Sequence, residues 1–316
     1  MLSIEYQARP IKSAWQIYPM QVKDLFRQTV QRLEAAGIAD AELEATLLLA
    51  HQLGVDKVTV YLSEQDTLSS PKLELFEDLL NRRLKREPLA YILGSKEFWS
   101  LEFEVSKDVL IPRPETEFLV ETVLQVLKNE TGSPAGNFTV LDLGTGSGVI
   151  AIVLAREIQR ARVLGIDYSE AALQVAVKNA AKHGVSGRVY FLNSDWFAAI
   201  KPGEKFDLVV SNPPYIAREI LDRPCGNNPD ALEPEVVDHE PRMALDGGLQ
   251  GLQSIHQISD RLLSFLKPGG WFFMEIGADQ AAEVVNHFTG IAGFGRIRVF
   301  EDYAGLPRVF QARRED

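Results

Sequence analysis

A chain of 316 residues, 46% apolar and 24% charged, reads as an ordinary soluble globular protein of two domains, with no apolar run approaching a membrane span. Its net charge of −11 argues against non-specific binding to nucleic acid, while leaving room for a local basic patch. The single cysteine, Cys225, can close no internal disulfide and build no thiolate metal site, so a cytoplasmic address without a metal centre is expected.

Residues 1–20 carry Arg9, Lys12 and Glu5 but no continuous apolar segment, which argues against a secretory signal and leaves an organellar targeting segment open. Gln21–Ala36 then places Val22, Leu25, Phe26, Val30, Leu33 and Ala36 three and four apart and stops at Gly37, the pattern of an amphipathic helix. Ala41–Leu53, closing at Gly54, reads as a second helix. Lys72–Leu84, opened by Pro71 after Ser69 and Ser70, reads as a third. His51 stands alone on the second helix, as a surface or core histidine does. No catalytic constellation occurs before residue 88, so residues 1–87 are expected to form a helical substrate-docking domain, with 1–20 as an extension.

Residues 88–114 read as a β-hairpin linker. Trp99, Leu101, Phe103 and Val105 alternate with polar residues at the period of a half-buried strand, and Val109–Ile111 is expected to pair back across Ser106–Asp108. Pro112 and Pro114 then punctuate the entry to a helix over Phe118–Lys128, with acids in its first turn.

Residues 115–316 alternate short apolar strands with helices, the mark of a parallel α/β sheet. Val140–Leu143 leads into Gly144-Thr145-Gly146-Ser147-Gly148 and the helix Val149–Glu157. A strand, a glycine-rich turn and a helix together hold a nucleotide-bearing ligand against the backbone, and a dinucleotide would fit this pattern too. Two features favour S-adenosylmethionine. Asp142 sits where a carboxylate suits the methionine ammonium, and the loop has no Lys or Arg for phosphate. The next strand, Ala161–Ile166, ends at Asp167, placed to accept ribose hydroxyls, with a mere strand-end cap as the lesser alternative. Beyond the helix Ser169–His183 and the strand Arg188–Leu192, Asp195 and Trp196 could bracket an adenine ring, although core packing explains Trp196 almost as well.

A fourth strand, Phe206–Val210, runs into Ser211-Asn212-Pro213-Pro214-Tyr215-Ile216 at its carboxyl end, where open α/β sheets bind ligands. Pro213 holds Asn212 extended, and two prolines remove two backbone donors, so the turn offers acceptors and few N–H groups. Asn212 adds a side-chain carbonyl and Tyr215 a flat wall. Such a site suits a planar amine or amide with two N–H bonds to donate. The bland alternative is a proline-rich turn that merely closes a strand. Residues 223–241 form a long polar segment, a lid candidate. After it come a helix over Leu252–Leu266, a strand Trp271–Ile276, a helix Ala278–Phe288, and a closing antiparallel pair, Arg296–Glu301 with Arg308–Ala312.

The whole set resembles the protein-glutamine N5-methyltransferases of peptide chain release factors, the HemK/PrmC family, over roughly residues 20–314. The matching stretches are GSKEFWSLEFEV (Gly94–Val105), IPRPETE (Ile111–Glu117), LDLGTGSG (Leu141–Gly148), Asp167, DWF (Asp195–Phe197) and SNPPYI (Ser211–Ile216). Further matches are EPRMALDGG (Glu240–Gly248), EIG (Glu275–Gly277) and DYAGLPRV (Asp302–Val309). Gln250 stands where that family usually has an aspartate. The resemblance implies a class I, Rossmann-like seven-stranded methyltransferase sheet with S-adenosylmethionine as cofactor and S-adenosylhomocysteine as product. The cofactor would lie on Asp142, Gly144, Thr145, Gly146, Ser147, Gly148, Asp167, Asp195, Trp196 and Asn212.

The implied acceptor is the glutamine of the Gly-Gly-Gln motif in class I release factors. It would be held by Asn212, Pro213, Pro214 and Tyr215, with the Asn212 side-chain oxygen and the Pro213 carbonyl accepting both N–H bonds. Phe98 and Trp99 are expected to border the cofactor or acceptor channel. A monomer with no stable nucleic-acid partner and no membrane contact is expected. An adenine-N6 DNA or RNA methyltransferase shares the Asn-Pro-Pro-Tyr turn, but a basic, aromatic-interleaved target domain is not evident. A third reading is a cofactor-binding scaffold without catalysis, against which the intact Asn212–Tyr215 turn counts.

Overall fold

The computed structural model describes residues 19–131, 137–223 and 232–315, so most of the 1–20 extension, Cys225 and the first part of the 223–241 segment lie outside the described residues. The chain divides into two compact units, Met1–Leu93 and Gly94–Asp316.

In the first unit, helices α1 (Val22–Ala35), α2 (Ala41–Leu53), α3 (Lys57–Leu62), α4 (Ser70–Leu84) and α5 (Leu89–Leu93) pack around Leu25, Leu33, Leu48, Leu49, Phe76 and Leu80. A two-residue ladder joins β1 (Met20–Gln21) to β2 (Thr67–Leu68). The helix α2 stops at Gly54 with φ +71°, a left-handed cap that glycine adopts without strain. One buried charge crosses this core: Arg83 grips Glu44 through Nε at 2.5 Å and Nη2 at 3.1 Å. The short helix α3 escaped the sequence pattern because six residues carry too little periodicity; Asp56 caps it by accepting the Thr59 N–H at 2.8 Å.

The second unit begins with a hairpin whose register differs from expectation. Strands β3 (Ser95–Phe98) and β4 (Leu101–Glu104) pair directly, with Phe98 opposite Leu101. Trp99 and Ser100 both take φ +55°, the backbone of a two-residue primed turn. The alternation that suggests one strand over residues 99–105 thus runs through a turn, and Val109–Ile111 forms no ladder among the described residues. Trp99 is steadied by two acids: its N–H donates to Glu117 Oε1 at 2.8 Å and its indole to Glu157 Oε1 at 2.9 Å. Phe98 is buried in the core instead of bordering a channel.

After α6 (Pro114–Thr131) come β5 (Phe138–Leu143), α7 (Val149–Glu157), β6 (Ala161–Asp167), α8 (Glu170–Lys182), β7 (Val189–Asn193) and β8 (Phe206–Ser211). The remaining elements are α9 (Arg218–Leu221), α10 (Pro234–His239), α11 (Gln253–Phe265), β9 (Leu266–Glu275), α12 (Ala281–Thr289), β10 (Phe294–Glu301) and β11 (Pro307–Arg314). Seven strands align in the order β10-β11-β9-β8-β5-β6-β7. Strands β9, β8, β5, β6 and β7 are parallel, and β11 and β10 close the edge antiparallel. The chain winds outward from β5 in one direction, then returns to β8 and winds the other way. The crevice at the carboxyl ends of β5 and β8 is therefore the topological switch point, where this kind of sheet binds ligands. Apolar clusters cover both faces, one around Leu119, Val153 and Phe273, the other around Phe197, Ile258 and Phe310.

Candidate active site

The glycine loop after β5 is drawn onto β6 by its own backbone. Gly144 and Thr145 both donate their N–H to the Ile166 carbonyl at 2.8 Å. Gly144 and Gly146 take φ +75° and +54°, and a Cβ on Gly146 would meet no protein atom within 4 Å. Open space over a left-handed backbone is what a close ligand approach requires. Gly148 answers a different need: a Cβ there would lie 3.1 Å from Ala176 Cβ and Ile152 Cδ1, so this glycine permits α7 to pack on α8. Asn179 on α8 ties the hairpin to this loop, accepting the Glu104 N–H at 2.7 Å and donating to the Ser147 carbonyl at 2.9 Å.

A cavity of about 430 Å³ opens at these strand ends, and Gly144, Gly146, Asp167, Asp195, Trp196 and Asn212 border it together with Pro214. Asp142, Thr145, Ser147, Gly148, Pro213 and Tyr215 do not line it. Both Asp167 oxygens accept backbone donors, Oδ2 from Gly146 and Oδ1 from Ser169, each at 2.8 Å. Burial pushes this carboxyl's pKa up, and those N–H bonds pull it back. Trp196 is pinned by its indole N–H on Gln257 Oε1 at 3.0 Å. Asp142 is fully buried: Oδ2 accepts from the Thr145 hydroxyl at 2.6 Å and the Ala151 N–H at 3.2 Å, while Oδ1 has no partner among the described residues. Burial pushes Asp142 up to about 7.

The acceptor turn leaves β8 at Ser211, whose hydroxyl donates to the Leu143 carbonyl at 2.8 Å. Asn212 donates its side-chain N–H to Thr116 Oγ1 at 3.0 Å. Thr116 in turn donates its hydroxyl to Glu275 Oε2 at 2.8 Å, and Tyr215 donates to Glu275 Oε1 at 2.9 Å. Burial pushes Glu275 up, opposed by the two hydroxyls and the nearby Arg308 charge; burial and the Glu275 charge push Tyr215 up, so its proton stays on. Gln280 supports the turn from below, donating to the carbonyls of Tyr215 at 3.0 Å and Gly251 at 3.1 Å.

The Glu240–Gly248 segment lies against the same turn. Ile216 donates its N–H to the Leu245 carbonyl at 3.1 Å and accepts the Gly247 N–H at 2.8 Å, and a Cβ on Gly247 or Gly251 would collide with the Pro214 carbonyl or the Tyr215 carbonyl. Buried Glu240 accepts the Ile111 N–H at 3.1 Å and pairs with Arg113, so the IPRPETE and EPRMALDGG stretches meet in one place. The sequence alone gives Thr116, Glu275, Gln280 and Arg308 no role. Thr116, Glu275 and Arg308 lie inside the quoted stretches, which was the available signal.

The sheet order, the switch-point cavity, the glycine loop and the Asn-Pro-Pro-Tyr turn define a class I S-adenosylmethionine-dependent methyltransferase. A methyltransferase-domain family model matches residues 135–293, and one described as the PrmC N-terminal domain matches residues 24–94. A release factor glutamine methyltransferase from Caulobacter vibrioides is 41% identical over 278 residues, covering 88% of this chain and 91% of that protein. A protein of the same name from Koribacter versatilis is 38% identical over 298 residues, covering 93% and 99%. A third, from Cereibacter sphaeroides, is 40% identical over 294 residues, again covering 93% and 99%. The chain belongs to the release factor glutamine methyltransferase family.

Proposed function

We propose that this protein transfers a methyl group from S-adenosylmethionine to the side-chain amide nitrogen of the glutamine in the Gly-Gly-Gln motif of class I release factors. One observation carries this reading. Asn212 and Pro214 of the acceptor turn border the same cavity as Gly144, Gly146 and Asp167, so a donor on the loop and an amide on the turn would share one space.

The residues present suit the cofactor. Gly146 offers uncovered backbone, Asp167 keeps a lone pair on each oxygen for ribose hydroxyls, and Asp195 and Trp196 stand at the β7 end for the adenine. When bound, S-adenosylmethionine supplies a methyl group on a sulfonium, already activated for transfer. The acceptor side has the harder task, because a carboxamide lone pair is delocalised into its carbonyl. On this reading the Asn212 side-chain oxygen, on the cavity wall, accepts one amide N–H bond, raising electron density on nitrogen and aiming its lone pair. The Pro213 carbonyl as second acceptor and Tyr215 against the amide plane act from outside the cavity lining of the free protein. With the cofactor in place, transfer would form the nitrogen–carbon bond as the carbon–sulfur bond breaks with its electron pair left on sulfur, and the acidified nitrogen would then lose a proton to solvent. In-line placement therefore carries most of the rate.

A single glutamine side chain offers little surface for discrimination, so the first unit, whose α3 exposes Val58, Tyr61 and Leu62, is read as the docking surface for the folded factor. The protein acts as a monomer in the cytoplasm on this reading, with protein and not nucleic acid as its substrate. The test is methyl transfer to a purified class I release factor beside its Gln→Ala variant and a duplex DNA. Labelled methyl appearing only on the Gln-bearing factor supports the assignment; equal labelling of the variant, or labelling of the DNA, contradicts it.

A further inference from the structure

The acceptor turn sits on a carboxylate outside the cavity lining, and with that carboxylate ionised, the form its two hydroxyl donors and the Arg308 charge favour, the hydrogen-bond directions at Thr116 and Tyr215 follow. Glu275 is fully buried and accepts one hydroxyl on each oxygen, Thr116 on Oε2 and Tyr215 on Oε1. A hydroxyl has one proton to donate. With that proton committed to Glu275, Thr116 Oγ1 can only accept from its other neighbour, so it must face the Asn212 amide nitrogen and not the oxygen. The 3.0 Å contact is therefore directional, and Asn212 is held with its carbonyl oxygen as the group left over for a ligand. Tyr215 is constrained likewise: its proton points at Glu275, and anything else that meets the hydroxyl finds a lone pair.

We propose that Glu275 is a positioning residue that sets the hydrogen-bond polarity of the acceptor turn, through Thr116 and Tyr215, so that the turn presents acceptors and selects a carboxamide nitrogen over a carboxylate. The inference rests on the acceptor assignment made above and deepens it. Glutamine and glutamate side chains have nearly the same shape, so volume cannot separate them. A glutamate brings no N–H and would set its oxygens against the Asn212 carbonyl, a juxtaposition of like partners that rejects it. A turn whose asparagine could flip would accept either. Replacing Glu275 by glutamine supplies an N–H donor at the same position. One hydroxyl would then receive instead of donate, its own proton could turn to Asn212, and the amide could reverse.

The test uses the full chain as wild type, Glu275→Gln, Thr116→Val and Thr116→Ser, with a release factor carrying either Gln or Glu in its Gly-Gly-Gln motif. Calorimetry with S-adenosylhomocysteine first identifies variants that keep the cofactor site. Binding of the two factors and, separately, kcat and KM for methyl transfer are then measured. Thr116→Val should lower kcat by about tenfold to a hundredfold, the scale of one misdirected buried hydrogen bond, with KM changing far less, and Thr116→Ser should restore most of it. Glu275→Gln should narrow the binding preference for the Gln factor over the Glu factor by about tenfold. Full discrimination in Glu275→Gln, or a Thr116→Ser no better than Thr116→Val, overturns the polarity claim. If the wild type binds the Gln factor preferentially and Glu275→Gln abolishes that preference, yet no methyl is transferred, the polarity claim stands and the methyl-transfer reading fails.

Discussion

The two halves of the cavity are built in different ways. On the cofactor side the hydrogen bonds are mostly main-chain donors onto carboxylates: Gly146 and Ser169 onto Asp167, Ala151 onto Asp142. The donors come from the glycine loop, the first turn of α7 and the cap of α8. On the acceptor side the bonds that hold the Asn212 and Tyr215 side chains run from side chain to side chain. Asn212 reaches Thr116 across 96 residues, Thr116 reaches Glu275 across 159, and Tyr215 reaches Glu275 across 60. A backbone cradle tolerates variety because every residue carries an N–H, whereas a side-chain relay fails when one member changes. Substitutions on the acceptor side should therefore damage turnover, and those on the cofactor side should damage affinity.

The largest expected effect is at the acceptor turn. Asn212→Ala removes an amide acceptor and should lower turnover by about 10²–10³-fold, the scale of deleting one preorganised polar group, while S-adenosylmethionine affinity changes much less. Steady-state kinetics beside calorimetry separates the two, and a turnover within a few-fold of wild type would remove Asn212 from its role. Next in size, Asp167→Ala should weaken S-adenosylmethionine binding by about 1.5–3 kcal/mol, the range for a hydrogen bond to a charged group. Unchanged affinity there would reduce Asp167 to a strand-end cap.

Asp142 gives a pH-dependent test. Its pKa is raised to about 7, so the free protein holds a proton there below that pH. Were the cofactor ammonium to reach this carboxylate, whose Oδ1 has no partner among the described residues, it would favour the anion, so cofactor binding should release a proton at pH 6, and affinity should fall by at most about tenfold per pH unit below 7. In the free protein the sign is opposite. The stability of the protonated form is fully present below the ordinary carboxylate range and is lost as pH rises through about 7, so Asp142→Asn should flatten that decline. Calorimetry in buffers of different ionisation enthalpy reads the proton directly; no proton release would leave Asp142 as a support for Thr145 alone.

The smallest effect is expected on the first unit. Val58→Asp with Leu62→Asp changes two exposed apolar side chains on α3 and should raise KM for the intact factor by roughly threefold to tenfold with kcat unchanged. An unaltered KM would place docking elsewhere.

The same contrast explains what could be read from the chain. Gly144, Gly146 and Asp167 follow from a strand, a glycine turn and a strand-end acid, and all three border the cavity. Asn212 and Pro214 were legible because proline restricts its own neighbours. Thr116 was not, since on α6 it is one polar residue in an acidic first turn, and nothing local announces a carboxylate on β9. Glu275 likewise ends an apolar strand and looks like its polar terminus. The hairpin departs from its sequence pattern for a local reason: Trp99 and Ser100 take φ +55° although neither is a residue that usually does. Asp142 was expected to face the methionine ammonium, and its burial beyond the cavity lining could be seen only once the loop was folded over it.

The most direct test is a crystal structure of the full chain with S-adenosylhomocysteine and a release factor bearing its Gly-Gly-Gln loop. The account predicts ribose hydroxyls on Asp167, the glutamine side chain in the same cavity, and its amide nitrogen, not its oxygen, within hydrogen-bonding distance of Asn212 Oδ1. A glutamine turned with its oxygen toward Asn212, or a nucleoside bound away from Asp167, would contradict it.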